Sequence, residues 1–63
     1  MIITATFRGA DGSCGYHKNR QYVLDINTVK NNNISIVRKD TFGYCIYSNV
    51  ITFLDNWTNI SKL

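Results

Sequence analysis

The sequence predicts a small α+β domain: a curled antiparallel sheet or SH3-like barrel of four to five strands, covered by a C-terminal amphipathic helix. Three observations carry that expectation. The chain has 63 residues, 44% of them apolar, enough for one small core and a single domain over 1–63. Apolar and polar residues alternate in four separate stretches, the period of a half-buried strand. From Ser48 onward the period changes to that of a helix.

Each element follows in order. Ile3, Ala5 and Phe7 alternate with Thr4, Thr6 and Arg8 and define a first strand. Residues 9–15 hold three of the four glycines, so a loop with a defined turn is expected there. Tyr22, Leu24 and Ile26 mark a second strand, and residues 27–33 a polar turn in which Asn tolerates left-handed backbone. Ile34 and Ile36 mark a third strand, residues 38–43 a hairpin loop, and Tyr44 to Tyr47 a short fourth strand. Val50, Phe53, Leu54, Trp57 and Ile60 then fall on one helical face. Ser48 or Asn49 would cap this helix, and it would end between Trp57 and Asn59. A helix of about ten residues is marginal alone, so the stripe is expected to dock on the sheet.

Seven Lys and Arg against four Asp, with no Glu, give a net charge of +3. That balance favours anionic partners, although a charge of this size also serves solubility. No apolar run reaches the roughly 18 residues of a membrane span. Met1 to Arg8 lacks a basic region ahead of its apolar residues, so a secretory signal is not expected. Without one, Cys14 and Cys45 are expected as free thiols. Three Asn-x-Ser/Thr sequons and the terminal Ser61-Lys62-Leu63 read as coincidences of an Asn-rich chain.

Catalysis is poorly supported by one His and four scattered Asp. The best pairing is Cys14 with His17, oriented by Asp11. So small a chain cannot enclose a dry pocket around it, so a non-enzyme without cofactor is expected. Cys14, His17 and Cys45 lack the paired spacing of a zinc site, so no metal is expected. The glycine loop is the stronger candidate. Arg8, Ser13, Gly15, Tyr16, His17, Lys18 and Arg20 would form a ligand site. Turn amides and cations would hold an anion, and Tyr16 or His17 would stack on a base. The competing reading is a tight loop with Tyr16 tucked against the sheet. A second surface, Arg38, Lys39, Tyr44 and Tyr47, has the composition of a protein contact. Tyr44 and Tyr47 would lie on different faces of their strand, so one at most joins the core, while Phe53 and Trp57 read as core. Open sheet edges would allow a homo-oligomer.

Phe7-Arg8-Gly9, Gly12-Ser13, Gly15-Tyr16, Tyr22-x-Leu24-x-Ile26, Cys45-x-Tyr47-Ser48 and Phe53-Leu54-Asp55-Asn56-Trp57 give a pattern spanning nearly the whole chain. It resembles small accessory proteins encoded by phages of low-GC bacteria. Where such proteins place a glycine before the second strand, this chain has Asn19. The resemblance implies a non-structural protein of the host cytoplasm, off the membrane, that counters host antiviral defence by binding. The leading expectation is sequestration of an anionic ligand, a cyclic nucleotide signal. One alternative is direct blocking of a host defence protein such as a CRISPR nuclease. Another is a small nucleic-acid-binding regulator.

Overall fold

The computed structural model describes residues 1–38 and 44–63. Five strands form one antiparallel sheet: β1 (Ile2–Phe7), β2 (Gln21–Thr28), β3 (Ile34–Arg38), β4 (Cys45–Tyr47) and β5 (Trp57–Lys62). Its order is β4-β3-β2-β1-β5, and the α-helix α1 (Val50–Asn56) lies between the last two strands in sequence. The sheet is open, ending at β4 and β5, and does not close into a barrel.

Alternation places the core. Ile3, Ala5 and Phe7 are all buried, and register sets Ile3 against Leu24 and Ala5 against Tyr22. Ile26 pairs with Ile36, and Ile36 with Cys45, so one face carries apolar side chains across four strands. The other face turns Thr4, Thr6, Val23 and Ile46 outward. Phe53 of α1 closes the inner face against Tyr47 and Trp57, at ring-centroid distances of 5.8 and 6.4 Å.

The C-terminal helix is shorter than its spacing predicts. Asn49 caps it as expected, its side chain accepting from the Thr52 amide at 2.8 Å. The helix stops at Asn56, whose side-chain amide donates back to the Thr52 carbonyl. From Trp57 the chain is a strand, paired with β1 through Phe7↔Trp57 and Thr6↔Thr58. β-Branched Thr58 and Ile60 suit a strand better than a helix interior. Of the expected stripe, Phe53 and Trp57 are buried, whereas Val50, Leu54 and Ile60 are exposed. Asn59, with φ of 52°, lies where register shifts between Thr4 and Thr6, a β-bulge.

Trp57 is the hub of the interior. It is 1% exposed, meets Phe7 and Tyr16 edge-on at 5.0 and 4.9 Å, and donates its indole N–H to Tyr47 Oη at 3.0 Å. Gly9 allows β5 and the helix end to close over this cluster. A Cβ there would press on Asn56 Oδ1 and lie 2.7 Å from Phe7 Cζ.

Candidate functional site

The loop between β1 and β2 spends its polar groups on itself. Gly12 N–H donates to Tyr16 O, Ser13 to Ala10 O, Gly15 to Gly12 O, and Tyr16 to Ser13 O. Beyond the turn, the His17 amide donates to Tyr22 Oη, Asn19 to Phe7 O, and Arg20 to His17 O. Left-handed backbone at Gly12, Cys14 and Gly15 makes this winding possible. Most of the amides expected to cradle an anion, those of Gly12, Ser13, Gly15, Tyr16 and His17, are therefore engaged within the protein.

The loop also carries its own anion. Asp11 Oδ1 accepts from the Lys18 amide at 2.8 Å and lies 3.5 Å from His17 Nδ1. The Lys18 hydrogen bond, helped by the nearby His17 charge, holds the Asp11 carboxyl below its ordinary 3.8. Because the folded value is the lower one, the loop gains stability from Asp11 above pH 3.8. That gain is lost as pH falls through the lowered value. An NMR titration should place the Asp11 midpoint below 3.8, with the Lys18 amide shifting in parallel.

Tyr16 does not face solvent. It is 4% exposed, with its ring 5.7 Å from Phe7 and 4.9 Å from both Tyr22 and Trp57. Stacking on a bound base is thus unavailable to it, because the ring completes the core. Ser13, Gly15, His17, Lys18 and Arg20 are exposed. Exposed Arg8 donates from Nη2 to Leu54 O at 2.8 Å, satisfying a carbonyl in the last turn of α1. Hydrogen bonds from Phe7 N to Arg20 O and from Asn19 N to Phe7 O hold Arg8 and Arg20 at the same end of the β1–β2 hairpin.

The free-thiol expectation is overturned. Cys14 and Cys45 form a disulfide, their Cα atoms 6.2 Å apart, tying the glycine loop to β4. The fold brings together two cysteines 31 positions apart, and no local spacing announces that. The bridge also removes Cys14 as a thiolate partner for His17. No group of three or more metal-binding side chains occurs among the described residues. No described helix is long and apolar enough to cross a membrane.

The second predicted surface is only partly assembled. Tyr47 is buried, with its phenol accepting from Trp57; burial pushes that phenol above its ordinary 10.0, while the indole hydrogen bond opposes the shift. Arg38 is half-buried over the Tyr16 and Tyr22 rings, 5.7 and 5.5 Å from their centroids. Lys39 lies outside the described residues. Tyr44 alone of the other three stands exposed, at 72%.

Tyr44 borders a feature that the sequence does not announce. Val29, Lys30, Asn31, Asn33, Ser35, Tyr44 and Ile46 line an open groove of about 410 Å³. The Ser35↔Ile46 pair places strands β3 and β4 along it. A 3-10 turn over Lys30–Asn32 forms its rim, held by Val29 N–H donating to Asn33 O at 2.8 Å. Asn31 and Asn32 both take left-handed backbone there, at φ of 62°. The groove thus combines an apolar wall (Val29, Tyr44, Ile46) with amide and hydroxyl groups and one cation. Comparison with protein-family models, curated proteins and solved structures gives no match.

Proposed function

We propose that this chain is a non-enzymatic binding protein that acts by direct contact with a protein partner through the groove beside β4. The observation that carries the reading is the exposure of Tyr44 and Ile46, at 72% and 49%, over a groove of about 410 Å³. A tyrosine held by a strand is a rigid, amphipathic anchor of the kind that dominates interface energetics. Lys30 on the rim and the net charge of +3 favour an extended partner segment that sets an apolar side chain beside an acidic one. In the phage setting that the resemblance implies, the partner is a host defence protein.

A second reading keeps the anionic ligand. Arg8, Lys18 and Arg20 are exposed on or beside one loop together with His17, and the arginine and lysine cations attract phosphates whatever the loop amides do. Against it stand the engaged amides, the buried Tyr16 and the resident Asp11 carboxylate.

Paired variants separate the two. A tagged Tyr44→Ala/Ile46→Asp protein should lose at least about tenfold in affinity for a protein captured from host lysate. The Arg8→Ala/Lys18→Ala/Arg20→Ala protein should keep it. Calorimetric heat with cyclic dinucleotides, abolished in the arginine and lysine variant, would instead support the anion reading and overturn the first.

A further inference from the structure

We propose that the Cys14–Cys45 disulfide is a redox latch that holds the β4 wall of the groove in place. The proposal rests on the groove reading for its functional consequence, but the latch itself is a property of the free protein. Among the described residues β4 lies at the edge of the sheet and pairs with β3 through Ile34↔Tyr47, Ser35↔Ile46 and Ile36↔Cys45. Cys45 sits between Tyr44 and Ile46, two of the three residues that give the groove its apolar wall. The covalent bond from Cys45 to the β1–β2 loop therefore fixes the segment that carries both.

The other end of the bridge is reachable. Cys14 is exposed, in a turn whose backbone is left-handed at Gly12, Cys14 and Gly15. At Cys14, a non-glycine residue with φ of 52°, that conformation is sparsely populated unless the surroundings enforce it. A dithiol reductant is the co-reactant. Its thiolate attacks Cys14 Sγ, the Cys14–Cys45 bond breaks, and Cys45 leaves as a thiolate that takes a proton from water. The reductant's second thiol then attacks the mixed disulfide, releasing Cys14 and closing the reductant's own disulfide. Two electrons and two protons pass to the protein, and the reductant is oxidised. With the bridge gone, Cys14 is free to leave its left-handed backbone and β4 keeps only its short pairing. The contact is then held under oxidising conditions and loosened wherever thiol reductants dominate.

Hydrogen exchange read by mass spectrometry tests this on the wild-type protein, oxidised, reduced with dithiothreitol, and reoxidised. Reduction should speed exchange over residues 44–47 at least about tenfold more than over β1 and β2, and reoxidation should reverse the difference. Exchange over residues 44–47 that rises no more than the uniform rise expected from the lower global stability would mean that the bridge acts only on the whole fold, and the latch is overturned. Unchanged exchange over residues 44–47, or two free thiols in the purified oxidised protein, would overturn it equally. No partner is needed, so failure here leaves the groove reading standing, and failure of partner capture leaves the latch standing.

Discussion

Replacing Trp57 with alanine should cost about 3–5 kcal/mol, the largest effect of any single truncation in this protein. Trp57 is 1% exposed and touches rings from β1, the glycine loop, β2 and α1. Its removal leaves a cavity that none of these elements can fill without moving its own strand or loop. It also strips Tyr47 Oη of its indole donor inside the core. A domain of this length has a total stability of about 3–9 kcal/mol, so Trp57→Ala should be largely unfolded at 25 °C. Urea denaturation followed by near-ultraviolet circular dichroism would read this directly. Trp57→Phe retains most of the apolar volume and should cost markedly less; equal losses in both variants would place the energy in the hydrogen bond.

Removing the disulfide should have the next largest effect. The bridge spans 31 residues of sequence, and closing a loop of that size stabilises a fold by about 2–4 kcal/mol, chiefly by restricting the unfolded chain. The Cys14→Ser/Cys45→Ser protein should therefore unfold at clearly lower urea, with the wild type under dithiothreitol tracking it. A double variant as stable as the oxidised protein would mean that the bridge contributes nothing to the fold. The effect is large because so small a core has few other reserves.

Most of the sheet was legible in the sequence. The alternation in Ile3, Ala5, Phe7 and in Tyr22, Leu24, Ile26 set both strands and their inward faces correctly. The same argument set Tyr44 and Tyr47 on different faces without saying which is buried, and residue chemistry narrowed the helix cap to Ser48 or Asn49, of which Asn49 is the one used. β5 was misread as helix because Phe53 and Trp57 stand four apart, a spacing that one helix face satisfies. Here the two meet from different elements, and the turn from helix to strand at Asn56 depends on pairing with β1, which is tertiary information. The glycine loop was located correctly as a turn, but where its amides point is decided by Asp11, Tyr22 Oη and the Phe7 carbonyl. The Cys14–Cys45 bridge and the groove were illegible for the same reason. Each joins segments that only sheet order brings together.

In the proposed function, contact runs through the β4 groove and not through the basic loop. Site-specific photocrosslinking tests it most directly, with one benzophenone side chain placed at Tyr44 and, in a separate protein, at Lys18. In host lysate the Tyr44 probe should give a discrete protein adduct that excess unlabelled wild type suppresses, while the Lys18 probe gives none. A competed adduct from Lys18 with nothing from Tyr44 would contradict the account and return the function to the cationic loop.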